Sequence, residues 1–358
     1  MTVKTKRLTR IKKKNLVPYA VVIAAYAAVE ALGALGKTSS SLRGLLVPVC
    51  AYVVMALSLN LTVGILGELS LGHAGFMSVG AFTGVVAAVA LEKAVPSAGI
   101  RLLLSMGVGT ACAALAGLVV GIPVLRLNGD YLAIVTLAFG EIIKSIINNL
   151  YVGVDGGGLH VNLLGGADAL NLSADGTTII NGPMGISDIP ELSTFTAGFI
   201  LILVTLFIIL NLVDSRGGRA IMAQRDNRIA AESVGINVTK YKLMGFVLSA
   251  AIAGAAGTLF AMNFTTVVAN KFDFNTSILI LVFVVLGGLG NMTGSIVAAA
   301  ALTVLPEVLR KFSTYRMLVY AVVLILVMLA ENNPRFKLFF ARLFHGKAAE
   351  GKEAAENG

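Results

Sequence analysis

The chain has no tryptophan, two cysteines and three histidines in 358 residues, and only 13% of its residues are charged. A soluble protein carries about 25% charged residues, so an ordinary soluble domain is excluded. Cys50 and Cys112 each fall inside an apolar run, which implies small buried thiols and no disulfide framework. His73, His160 and His345 are too scattered for a metal-ligand set, and no Ser-His-Asp spacing appears. The residues therefore imply no catalytic site, no metal and no cofactor bound by this chain.

What is abundant is apolar. Hydrophobic residues make up 57% of the chain, and the mean hydropathy is +0.87. Ten apolar segments can be marked, at 16–35, 44–66, 68–91, 101–122, 130–150, 193–213, 242–266, 275–290, 292–309 and 316–331. In hydrocarbon every backbone N–H and C=O needs an internal partner, so these segments predict helices, and barrel-type alternation is missing. The fold class read from the residues is all-α and integral to a membrane, with about ten spanning helices. Segments 275–290 and 316–331 have only 16 residues each, short for a core of about 30 Å, so some helices are expected to be tilted or broken. The pair 44–66 and 68–91 is nearly continuous, with Gly64, Gly67, Gly72 and Gly75 at the join. Such glycines fit either a broken helix lining a pathway or close helix packing.

The net charge of +9 is concentrated beside the apolar runs, which points to orientation in a bilayer and not to nucleic acid. With an internal N-terminus, the inner segments hold 18 Lys and Arg and the outer ones eight. That bias predicts two cytoplasmic termini: a basic tail at 1–15 and a polar tail at 336–358 whose end has a disordered composition. Between them lies the transmembrane domain, 16–335. The loop 151–192 has no Lys or Arg and belongs outside, as a plain connector or a surface for a soluble partner.

Two stretches imitate nucleotide sites. Ala31 to Thr38 ends like a P-loop, but Ala31 stands where the first glycine is needed, and the stretch closes an apolar helix. Gly287-Gly-Leu-Gly290 follows an apolar run but lacks the surrounding strand-helix-strand pattern and reads as a tight turn. Ionisable residues in apolar segments are functional candidates by default. Glu68 and His73 lie in one glycine-rich stretch, and Glu141 and Lys144 are neighbours at i, i+3 that can pair. The candidate pathway is Glu68, Ser70, Gly72, His73 and Gly75, with Gly287, Gly288 and Gly290. In the inner loop 214–241, the residues from Asp226 to Gly235 predict a short helix capped by Asp226 or Asn227 and ended by Gly235. Ala230 and Ala231 would give it a small-residue docking face.

Four segments, in order, resemble one family. They are Leu69-Ser-Leu-Gly-His-Ala-Gly-Phe76, Asp130 through Glu141, Arg225 through Asn237, and Gly287 through Asn291 with Leu305-Pro-Glu307. Together they are similar to the M-type permease subunits of branched-chain amino acid ABC transporters, over roughly residues 44–335. The resemblance implies an ABC importer permease fold in a bacterial inner membrane. It also implies a second permease, two ATPase subunits holding ATP and Mg2+ on the cytoplasmic side, and a periplasmic binding protein. Arg225, Asp226, Asn227, Ala230, Ala231, Glu232 and Gly235 then form the ATPase-coupling loop. Ile229 departs from the family pattern, which has Glu there. Related permeases for urea or short amides share these motifs. A stand-alone ion-coupled carrier and a membrane enzyme are the readings from other classes.

Overall fold

The computed structural model describes residues 2–34, 40–92, 94–127, 129–155, 158–163, 165–166, 170, 172, 176–309, 322 and 325. The chain divides into two compact units, Met1–Ala300 and Ala301–Gly358. The first unit is mostly helical. Its helices are α1 (Thr2–Ala34), α2 (Ser40–Asn60), α3 (His73–Ala90), α4 (Ala98–Val124), α5 (Asp130–Asn148), α6 (Phe195–Asp214), α7 (Arg216–Asp226), α8 (Arg228–Ser233), α9 (Val238–Ala261) and α10 (Phe274–Gly287). A further helix, α11, runs Met292–Val308.

Among the described residues, six helical stretches are long and apolar enough to cross a membrane, and α10 and α11 are shorter apolar helices. The expected segment 316–331, apart from residues 322 and 325, and the tail 336–358 lie outside the described residues, as do Gly156, Gly157, Asp168 and Asp175. The join between the second and third expected segments is a true break. After α2 the chain makes a π-helical turn, Leu61–Leu66, and Gly67 takes a left-handed conformation at φ 79°. Helix resumes only at His73, five residues later than the expected start at 68.

The all-α expectation needs a correction in the loop 151–192. Three five-residue strands, β1 (Tyr151–Asp155), β2 (Gly158–Asn162) and β3 (Thr177–Asn181), form an antiparallel sheet in the order β2-β1-β3. Its source is a sparse set of β-branched residues, Val152, Val154, Thr177, Thr178, Ile179 and Ile180, which favour a pleated, half-buried surface. Hydropathy read over helix-length windows averages them with the surrounding Gly, Asn and Asp. Ile186 ties this sheet to the connection between α9 and α10 by bridging Ile180 and Val267. Beneath the sheet, Val152, Ile180, Phe82 and Val86 line part of an apolar cavity of about 490 Å3.

The core is a stack of α3, α4 and α9 at backbone contact. A Cβ added at Gly80 would lie 2.1 Å from the Gly254 carbonyl oxygen, and one at Gly257 would lie 1.9 Å from that of Met77. Small residues permit such approach where water supplies no driving force between helices. Thr258 Oγ1 secures the crossing by donating to the Gly80 carbonyl at 2.8 Å.

Gly80→Val and Gly257→Val should therefore each destabilise the protein by about 1–3 kcal/mol or more through overpacking. Gly107→Ala, where nothing lies within 4 Å, should be neutral. Thermal unfolding in detergent checks this. Equal midpoints for all three variants would show that these helices do not touch there.

Candidate functional site

The glycine-rich stretch begins where helix stops, and each freed group has a partner to account for. The last carbonyls of a helix lack intrahelical donors. Arg225 Nη1 supplies one of them, donating to the Gly64 carbonyl at 2.9 Å. The arginine stem lies over Gly67, whose added Cβ would sit 2.5 Å from Arg225 Cγ. The backbone N–H of Glu68 returns to the Thr62 carbonyl at 3.0 Å. The Glu68 carboxylate is buried and pairs with the buried ammonium of Lys242 on α9.

Beyond Glu68 the chain leans on α5. The Leu71 N–H donates to Thr136 Oγ1 at 3.1 Å. Gly72 packs on the backbone of Thr136 and Gly140, and Gly75 faces Gly140. A small cleft here is lined by Leu71, Gly72, Gly140, Glu141, Asp273 and Ser277, among others. Glu141 and Lys144 pair with each other at its edge, as their spacing predicts.

His73 opens α3 inside a buried hydroxyl network. Ser58 Oγ donates to the Ser249 carbonyl at 2.6 Å and lies 2.8 Å from His73 Nε2. A hydroxyl has one proton, and Ser58 commits it to Ser249. The imidazole Nε2 must then carry hydrogen and donate, which leaves His73 Nδ1 as a bare acceptor. That atom is buried without a partner, and so is Ser70 Oγ. Ser249 Oγ completes the network by donating to the Ser58 carbonyl at 2.7 Å and accepting from Thr62 Oγ1 at 2.7 Å.

The second glycine element, the α10–α11 turn, reaches the same place. Gly288 and Gly290 have φ of 88° and 79°, which fixes a tight reversal as the sequence implies. Gly287 packs against the backbone of Gly294 and Ser295. The Gly290 N–H donates to Asn60 Oδ1, and Asn60 Nδ2 donates to Ser295 Oγ, both at 2.8 Å. Gly64 has no room for a Cβ between Asn60 and Gly290. The two glycine elements predicted separately thus meet through Asn60.

The short helix expected from Asp226 to Gly235 is α8, with Asn227 as its cap: Asn227 Oδ1 accepts from the Ala230 N–H at 3.0 Å. Asp226 pairs instead with Arg225. Arg228 and Glu232 form an i, i+4 pair at 3.0 Å. Gly235 at φ 84° and the bond from the Ile236 N–H to the Ala231 carbonyl, 3.1 Å, end the helix. The structure separates the two alanines: Ala230 is exposed, but Ala231 is 3% exposed and faces its own chain. The outward apolar surface is Ile229, 81% exposed, and Val234, 75% exposed. Sequence reasoning missed Asn60, Thr136, Arg225 as a partner of Gly64, and Lys242. The available signal was that Asn60 and Lys242 are polar residues within apolar runs.

The family model described as branched-chain amino acid transport system / permease component matches residues 41–328. The chain belongs to this family. It is 36% identical over 302 residues to the high-affinity branched-chain amino acid transport system permease protein LivM of Salmonella typhimurium, covering 80% of this chain and 69% of that one. It is 35% identical over 348 residues to LivM of Escherichia coli, covering 85% and 72%. A probable branched-chain amino acid transport permease protein LivH of Methanocaldococcus jannaschii matches at 31% over 105 residues, 29% of this chain and 32% of that one. No solved structure matches. The chain is thus a multi-pass membrane permease.

Ser58→Ala should leave the buried His73 Nε2–H without its partner, while the Ser249 carbonyl, interior to α9, keeps its helical donor. The expected loss is about 1–3 kcal/mol, read as a lower midpoint in denaturant unfolding of the detergent-solubilised protein. An unchanged midpoint would mean the network contributes nothing.

Proposed function

We propose that this protein is the permease subunit of an ATP-driven importer, forming with a second, homologous permease the pathway for leucine, isoleucine and valine. The observation that carries the reading is the helix break at 67–72 in a member of this permease family. Buried polar atoms without partners are uncommon and cost about 1–3 kcal/mol each. Two of them, Ser70 Oγ and His73 Nδ1, lie in or beside this break. When the pathway opens they offer acceptors for a substrate ammonium, beside backbone amides freed by the break. The apolar walls suit an aliphatic side chain.

In this reading the chain crosses the bacterial inner membrane about ten times with both termini cytoplasmic. Energy comes from two ATPase subunits that hold ATP and Mg2+, and this chain binds no cofactor. A periplasmic binding protein delivers substrate near the loop 151–192 and sets selectivity. The loop 214–241 docks the ATPase through the exposed Ile229 of α8 and Val234 just after it, with Arg228, Ala230 and Glu232 around them. Ala231 and Gly235 shape the helix instead of touching the partner.

Three measurements test the proposal. Reporter fusions after 36, 160 and 270 should report the outside, and fusions after 225 and 345 the inside; an external 225 would sink the docking assignment. Ile229→Asp with Val234→Asp should leave the protein inserted but reduce co-purification of the ATPase at least about tenfold, since burying an unpaired charge costs several kcal/mol. Vesicles carrying the whole complex should import labelled leucine with ATP after an uncoupler has collapsed the proton gradient. Uptake lost with the gradient alone would overturn the ATP-driven reading, and transport of urea in place of leucine would overturn the substrate.

A further inference from the structure

The docking loop and the pathway break are remote in sequence, yet two cationic side chains join them. Arg225 is the penultimate residue of α7, immediately before the docking helix, and its guanidinium donates to the Gly64 carbonyl at 2.9 Å. Lys242 stands five residues into α9, immediately after the docking helix, and its ammonium pairs with Glu68. One cation thus leaves each end of the 225–242 segment, and the two land four residues apart on the same joint. The Arg225 carbons also lie against Gly67, where any side chain would displace them.

The joint hands on what it receives. Gly64 abuts Gly290, and Asn60 holds the Gly290 N–H and Ser295 Oγ together. On its other side the chain leads to Ser70 and His73, the atoms assigned above to the pathway. A push on α8 therefore has a packed, hydrogen-bonded route to both glycine elements.

We infer that Arg225 and Lys242 form a two-ended clamp that holds the docking segment to residues 64–68, where the π-helical turn ends and the break begins, so that ATPase movement displaces the break as one body. Arg225 is then a positioning residue directed at the pathway and not at the ATPase. This inference rests on the proposed importer reading. The clamp transmits movement only if its contacts persist through the transport cycle, which sets the test.

In the whole complex reconstituted in vesicles, Arg225→Ala should lower leucine moved per ATP hydrolysed on the order of tenfold, within the usual range of site-to-site coupling. Insertion and ATPase co-purification should be retained. Lys242→Glu alone should do the same, and Lys242→Glu with Glu68→Lys should restore coupling. The second arm uses geometry. An ideal Cβ at Gly67 lies 3.5 Å from Arg225 Cβ, a separation suited to a disulfide. The Gly67→Cys, Arg225→Cys complex should transport when oxidised and lose coupling on reduction, with the wild type, which carries free Cys50 and Cys112, unaffected by either treatment. The inference is overturned if oxidation of the pair stops transport, if reduction changes nothing, or if Arg225→Ala keeps its transport per ATP. A wild-type complex without ATP-dependent uptake would instead overturn the importer reading.

Discussion

A helix that ends inside a packed apolar core leaves carbonyls that water does not reach, and each must find a donor or remain a penalty. That constraint organises the region from Asn60 to Gly75. The π-helical turn brings the chain to Gly67, and the guanidinium of Arg225 reaches the freed Gly64 carbonyl. Thr136 takes the Leu71 N–H, and Ser277 Oγ takes the Ala74 N–H at 3.1 Å. The partners come from α5, α7 and α10, so a break in one helix fixes the placement of three others.

The close crossing of α3, α4 and α9 serves the same constraint from the opposite direction. Glycines 80, 109, 254 and 257 remove side chains so that backbones meet, and Thr258 places its one hydroxyl proton at the crossing, 2.8 Å from the Gly80 carbonyl and 3.2 Å from that of Gly254. Such close-packed interiors resist continuous deformation. α9 belongs both to this crossing and, through Lys242, to the joint at Glu68. In the proposed clamp, a displacement at one end of α9 is therefore shared with the break.

Local rules made much of this legible. The charge pattern and apolar runs imply a membrane protein. A cap at Asp226 or Asn227, the Gly235 stop, the Gly288–Gly290 reversal and the Glu141–Lys144 pair are legible from spacing, and the structure shows each of them, with Asn227 as the cap. What sequence does not carry is direction and distance. Glu68 and Lys242 are 174 residues apart, and Gly64 and Arg225 are 161 apart. No periodicity announces either partnership. The inward turn of Ala231 is likewise set by the packing of α8 on its own chain, which a six-residue helix is too short to reveal through its pattern. The sheet at 151–181 was hidden because strands of five residues vanish in windows sized for helices.

The buried Glu68–Lys242 pair is best understood through what it costs. Removing two charges from water offsets much of their mutual attraction, and a well-packed apolar pair in the same space is often as stable or more so. Breaking one partner, in contrast, costs about 3–5 kcal/mol because a lone buried charge remains. Such a pair adds little to overall stability but strongly opposes any motion that separates its members. Placed between α9 and the first residue after the left-handed Gly67, it makes separation of α9 from the break the expensive motion and joint displacement the cheap one. Arg225 imposes the same preference from α7, where its guanidinium is the donor to the orphaned Gly64 carbonyl. The joint is thus tied at 64 and 68 to the two ends of the 225–242 segment.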